Sequence, residues 1–177
     1  MVEMPQTLAP TPVDRPVVTY RQVTEVDGAE LQLTVFRVPG VVPVEYRAAV
    51  ELDEGTGETV LAAAGVEHLQ ALRVALTGVL VTDHDAGGGL VWWDEDEDEP
   101  WEVTVELARD AWVTLAPYTT TVQDGEESLE VLDGIEVTLT DPATDAAATV
   151  DLGLDEARRL HLALTAVVAR LAAAGTR

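Results

Sequence analysis

Six consecutive acids, Asp94 to Glu99 in the stretch LVWWDEDEDEPWEV, are the densest run of reactive side chains in this chain. Carboxylates so close together can ligate a cation, meet a basic protein surface, or stand apart in water as a self-repelling spacer. Trp92 and Trp93 precede the run and Trp101 follows Pro100, and tryptophan is among the residues that most often anchor interfaces. The expected interaction segment is therefore Trp92, Trp93, Asp94, Glu95, Asp96, Glu97, Asp98, Glu99 and Trp101. The run is not itself a calcium loop: counted from Asp94, Glu99 falls where glycine is required and Val105 where the closing acid belongs.

The segment just before it comes closer. DHDAGGGLVWWD, Asp83 to Asp94, puts acids at loop positions one, three and twelve and Gly88 at six, the spacing by which short carboxylates surround calcium. Gly87 at position five and an Asp rather than a bidentate Glu at twelve depart from that pattern. The expectation is no cofactor, with calcium on Asp83, Asp85 and Asp94 as the alternative. His84 beside Asp83 and Asp85 makes a poorer transition-metal site, because adjacent residues rarely chelate one ion.

Covalent chemistry has little to work with. Cys and Lys are absent and the sole serine, Ser128, sits in the acidic stretch DGEESLE with no histidine near it in sequence. No phosphate-binding glycine motif occurs, since GTGE at 55–58 and AGGGL at 86–90 lack the spacing and the lysine. Acid pairs abound, but among 33 acids a pair carries little information. Asp151, in VDLG, is the only carboxyl that the pattern sets among apolar neighbours. His68 and His161 fall on or beside helical apolar stripes, where a packing role is expected. The chain reads as a binding protein rather than an enzyme.

Charge narrows the partner. Against 33 acids stand 10 basic residues, all arginine, for a formal net charge of −23. Such a field repels phosphate backbones and anionic lipid, so neither direct nucleic-acid binding nor membrane binding is expected. A protein with a basic surface is the expected partner, and self-association is compatible with the sequence. An apolar fraction of 47% over 177 residues is enough for a folded core. No uninterrupted apolar run approaches the ~18 residues of a membrane span, and MVEMPQTLAPTPVDRP lacks a signal peptide's layout. The expectation is a soluble, cytoplasmic protein. Lys and Asn are missing, Ile occurs only at Ile135 and Phe only at Phe36, a bias that suggests a high-GC actinobacterium or its phage.

The elements that must carry these residues follow from periodicity. Residues 1–15, with Pro at 5, 10 and 12, read as an extended arm. From Val17 apolar and polar residues alternate to Val26, Asp27-Gly28 supplies a type I′ turn, and alternation resumes through Leu31 to Val38. Strands follow at Val44 to Leu52 and Val60 to Ala64. The period then changes, with Val66, Leu69, Leu72, Leu76, Val79 and Leu80 on one face of a helix over 66–81. Residues 83–100 form a Gly-rich, acidic crossing. The order then repeats: strands near Trp101 to Leu107, from Ala111 to Leu115 or onward to Val122, Leu129 to Thr140 and Ala148 to Leu152, and a helix over 154–173.

The helices superpose without a gap at 88 residues: Gly65/Gly153, Leu72/Leu160, Ala75/Ala163, Leu76/Leu164, Thr77/Thr165 and Val79/Val167 coincide. The strands before them match only after a one-residue shift, Val50 with Val137 and Leu52 with Leu139. The predicted fold is α+β: two diverged repeats, 16–82 and 101–177, each a mostly antiparallel sheet with one helix packed on a face.

The last of these segments, Ile135 to Ala174, resembles the end of small actinobacterial domains of unknown function, in which a hairpin runs into a helix with an E-A-R-x-L start, here Glu156, Ala157, Arg158 and Leu160. The likeness covers under a quarter of the chain. Those domains often carry a Cys-containing D-H segment, which TDHD lacks, and the resemblance implies no activity or partner.

The functional expectation is a non-enzymatic, acidic protein–protein interaction module, an adaptor or inhibitor, with imitation of DNA as one form of it. The alternatives are an assembly component reaching along a neighbour with its arm, and a calcium-binding protein.

Overall fold

The computed structural model describes residues 16–40, 45–85 and 102–175. The first half runs β1 (Val17–Val26), β2 (Ala29–Val38), β3 (Glu45–Asp53), β4 (Thr59–Ala64) and α1 (Val66–Asp85). The second runs β5 (Val103–Glu106), a 3₁₀ turn at Ala108–Asp110, β6 (Trp112–Asp124), β7 (Glu127–Asp141), β8 (Ala146–Gly153) and α2 (Leu154–Gly175). Each set of four strands is an antiparallel meander in chain order, β1-β2-β3-β4 and β5-β6-β7-β8. The α+β class and the two sheet-then-helix halves expected from periodicity are present.

Local chemistry accounts for the first turn. Asp27 and Gly28 both have positive φ, 50° and 88°, and join the pair Val26↔Ala29, the conformation a two-residue type I′ hairpin requires. Gly55, in the turn between β3 and β4, packs on the same hairpin: a Cβ there would lie 2.9 Å from the Gly28 carbonyl carbon.

The one-residue shift between repeats has a structural origin. The cross-strand partners Leu52↔Val60 correspond to Leu139↔Ala148. Seven residues lie within the first hairpin and eight within the second. The extra residue falls at the β7–β8 turn, moving the later elements from an offset of 87 to one of 88.

Alternation sends one face of each sheet inward. Leu31, Leu33, Val50, Leu52 and Val60 from the first sheet meet Val113, Leu115, Val137, Leu139 and Val150 from the second in one continuous buried cluster. Leu69, Leu72, Leu76 and Val79 of α1 and Ala157, Leu160, Leu164, Val167 and Leu171 of α2 close it. The helices pack on each other; α1 reaches β5 and β6 of the other half, and α2 touches strands of both sheets. Each helix thus serves more than its own sheet. Where the four layers converge, Leu31, Leu33, Leu52, Leu72, Val113 and Leu160 line a void of only about 10 Å³, lined by aliphatic side chains alone.

Four details differ from the periodicity reading. Helix α1 continues to Asp85 rather than residue 81, because no glycine or proline lies between Leu80 and Asp85 to end it. Val66 is 37% exposed rather than part of the stripe, since it opens the helix at the rim of the core. Strand β6 reaches Asp124 and β7 starts at Glu127, so the acidic DGEESLE stretch is mostly strand around a two-residue turn. Asp151, expected among apolar neighbours, is exposed on the outer face of β8.

Among the described residues no helix is long and apolar enough to cross a membrane.

Candidate functional site

The helix starts are built alike in both halves. Gly65 stands at the N-cap of α1; its carbonyl accepts the first helical bond from Leu69 at 3.2 Å and its N–H donates to His68 Nδ1 at 2.9 Å. Gly153 holds the matching place before α2, where a Cβ would lie 2.7 Å from Glu156 Oε2. His68 and Glu156 correspond at the 88-residue offset, each folded back over its N-cap in the manner of a capping box. His68 is therefore a structural acceptor.

His161 joins the two helices. Thr77 donates its hydroxyl to the Arg73 carbonyl at 2.8 Å, so the 2.8 Å contact to His161 Nε2 must be an N–H of the imidazole donating to Thr77 Oγ1. Thr165, the counterpart of Thr77, makes the same backward bond to the His161 carbonyl at 2.9 Å. Burial first, and the nearby Arg73 guanidinium second, hold the His161 imidazolium below the usual histidine range. Both helical histidines have the packing roles expected of them.

The halves are tied once more at a sheet edge. The outer edge of β8 would leave backbone donors facing outward; the Thr149 N–H donates to Glu54 Oε1 at 2.8 Å, a half-buried bond from the β3–β4 turn. A carboxylate aimed at an edge also discourages further strand pairing there.

The outer faces of the sheets differ in chemistry. On the first, Val23, Gln32, Glu51 and Leu61 form the central row across the strands. Arginines intervene there: Arg21 donates to Gln32 Oε1 at 2.8 Å, and Arg47 pairs with Glu45 at 2.7 Å. On the second, the matching row is Thr104, Thr114, Thr138 and Thr149. Its hydroxyls meet pairwise, Thr138 to Thr149 at 2.9 Å and Thr104 to Thr114 at 3.4 Å. Around this row stand Glu106 beside Trp112, and Glu136 opposite Asp151. Glu102, just before β5, is also exposed. No arginine belongs to β5, β6, β7 or β8.

Tyr118 marks one corner of that face. Its ring lies over Gly134, its partner on β7, where any Cβ would be 2.5 Å from the ring carbon Cζ. Burial first, then the charges of Asp151, Asp133 and Glu156, push its phenol above the ordinary value. The corner therefore disfavours any added negative charge.

Trp92, Trp93, Asp94, Glu95, Asp96, Glu97, Asp98, Glu99 and Trp101 lie outside the described residues. Asp83 and Asp85 end α1 with helical backbone, while Asp94, the third carboxylate of the calcium spacing, is outside. Among the described residues no three His, Asp or Glu side chains gather as a metal cluster. Sequence reasoning missed the uncharged, hydroxyl-lined row and its acidic margins. The signal lay in VTVE, VTL and TVDL, where every second residue is polar and none is basic.

The chain matches no protein-family model and is similar in sequence to no curated protein.

Proposed function

We propose that this chain is a non-enzymatic, acidic interaction module that binds a protein with a basic surface, using the outer face of the β5–β8 sheet together with the acidic run that precedes it in sequence. The observation that carries the reading is the composition of that face. Glu102, Glu106, Glu136 and Asp151 flank the threonine row, Glu106 pairing with Trp112, with no arginine in its strands. The run Asp94–Glu99 precedes β5 by three residues, so in sequence the two acidic features are continuous.

Carboxylates on an open sheet are solvated and repel one another until a cationic partner covers them, and that attraction both accelerates encounter and selects against acidic competitors. Threonines bring short hydroxyls that bond without long-chain ordering costs, and the aromatic pair Trp112 and Tyr118 provides the apolar contact that charge alone lacks. A basic nucleic-acid-binding protein is one partner of this kind, met by carboxylates in place of phosphates. The resemblance of the C-terminal segment to small actinobacterial domains is compatible with this reading and adds no partner to it.

The test is calorimetric binding of an oligo-arginine peptide at rising salt. The wild type should bind progressively more weakly as salt screens the charges. A variant carrying Glu102→Gln, Glu106→Gln, Glu136→Gln and Asp151→Asn should lose most of the affinity, while neutralising Glu25, Glu30, Glu51 and Asp53 on the first sheet should change it little. Equal losses in the two variants would defeat the assignment to this face.

A further inference from the structure

Each sheet ends on two strands that have a strand neighbour on one side only, and three of these four edges are short or guarded. Strand β4 has six residues and packs against the 3₁₀ turn and strands of the second sheet. Strand β5 has four residues, and β8 presents its Thr149 N–H to the Glu54 carboxylate. Strand β1 differs: it is ten residues long, contains no proline, and among the described residues pairs with β2 alone. A long edge without such guards is a template for another strand.

The register identifies which backbone groups face outward. Val26 and Ala29 flank the two-residue turn and so exchange both of their hydrogen bonds, and antiparallel alternation repeats this at Thr24↔Leu31 and Gln22↔Leu33. Arg21, Val23 and Glu25 therefore direct N–H and C=O away from β2. The Val23 carbonyl accepts a bond at 3.4 Å from the amide of its own neighbour Gln22, as an outward-facing acceptor can. The side chains of the same three residues are exposed on the outer face of the sheet, while Thr24 is buried beneath it. The bulge in this strand lies between Val18 and Tyr20 and leaves the stretch from Arg21 to Glu25 regular.

We propose that the β1 edge takes up the β1 edge of a second copy, antiparallel and about a twofold axis at Val23, joining the two first sheets into one. Charge selects both the occupant and the register. With Val23 on the axis, Arg21 of each copy lies opposite Glu25 of the other, and opposite charges directly across strands are favourable. Val23, 38% exposed in the single chain, then meets its own counterpart. The outward N–H and C=O groups of Arg21, Val23 and Glu25 also face each other in this register, which is the requirement for the added ladder. An axis at Arg21 would set arginine on arginine, and one at Glu25 would set glutamate on glutamate. Beneath the strands the chosen register places Gln22 of each copy opposite Thr24 of the other, polar against polar. The same patch thus complements itself, as a closed twofold dimer requires. It lies on the first sheet, apart from the face assigned to the basic partner, so either proposal can fail alone.

The experiment is sedimentation equilibrium of the full chain over a concentration series reaching about 1 mM, at low and moderate salt. Each copy carries a net charge of −23, so long-range repulsion opposes association and its screening should strengthen the dimer as salt rises. Arg21→Glu and Glu25→Arg should each weaken the dimer about tenfold or more. The second is the sharper of the two, because it lowers the net negative charge and yet sets arginine against arginine. The double variant Arg21→Glu/Glu25→Arg restores opposite charges across the axis and should recover the wild-type constant to within about threefold. Both residues are exposed, and circular dichroism checks that each variant is folded. Amide exchange supplies a second readout on the wild type: the amides of Arg21, Val23 and Glu25 should slow as concentration rises. If a variant does not fold, that exchange pattern decides alone. A wild type that stays monomeric throughout overturns the proposal. So does a dimer that leaves the Val23 amide unprotected, or one that the double variant fails to restore.

Discussion

Replacing Glu54 by alanine probes the join between the halves. Its carboxylate accepts the Thr149 N–H at 2.8 Å across 95 residues of sequence, so it cannot be substituted by any local interaction. A hydrogen bond to a charged group contributes ~1.5–3 kcal/mol net. Glu54 is half-buried, and water can partly solvate the freed donor at an edge strand, which lowers the expected cost of Glu54→Ala to about 1–2 kcal/mol. For a chain of this size ~1 kcal/mol corresponds to about 2–4 °C, so the midpoint should fall by about 2–8 °C. Glu54→Gln keeps a carbonyl acceptor in place and should cost less than half as much. The assay is thermal and urea unfolding followed by circular dichroism. With one core shared by both sheets, unfolding should stay a single transition in every variant, with an unchanged denaturant slope. A loss below about 0.3 kcal/mol for alanine, or equal losses for alanine and glutamine, would refute a structural role for this bond.

Three other outcomes follow from the same geometry. Placing Glu at position 68 (His68→Glu) copies the second repeat, adds an acid near a helix N-terminus and should raise stability by ~0.5–1 kcal/mol at moderate salt, measured by melting. The folded state holds His161 below the usual pKa of 6.5, so the unfolded chain takes up the proton first as pH falls. The neutral histidine's contribution is therefore complete above about pH 6.5 and lost below it, and His161→Gln should show a smaller drop in melting temperature between pH 7.5 and 5.5 than the wild type. Gly134→Ala drives a Cβ into the Tyr118 ring and the Leu152 carbonyl, costing about 1–3 kcal/mol or more; adding Tyr118→Ala should recover only part, because the carbonyl cannot move aside.

Most of the architecture was legible because burial leaves a period. The alternation of β1, β2 and β3, the Asp27-Gly28 turn and the stripes of α1 and α2 each report one face turned to a core, and the helix identity at Gly65/Gly153 and Thr77/Thr165 marks the repeat. The one-residue strand shift was visible as a mismatch, but its place in the β7–β8 turn needed the register. The long ends of β6 and β7 were hidden for the converse reason. Residues 120–123 are exposed, and TTTVQDGEESLEV has no apolar face to reveal its strands, so its acids read as a turn. Glu54 gave no sign of its role, since its partner lies in the other half. Of the expected interaction residues, Trp92 to Glu99 and Trp101 fall outside the described segments. The acidic sheet face that follows them in sequence emerged only when Glu106, Glu136 and Asp151 were placed on one face from three strands, on either side of the threonine row.

The most direct test of the acidic-module account is an amide chemical-shift titration of the full chain with an oligo-arginine peptide. The account predicts that the largest changes gather on the β5–β8 sheet, at Thr104, Glu106, Thr114, Glu136, Thr138 and Asp151, and along Asp94–Glu99. Changes spread evenly over all exposed carboxylates, or concentrated on Glu25, Glu30 and Glu51 of the first sheet, would contradict it.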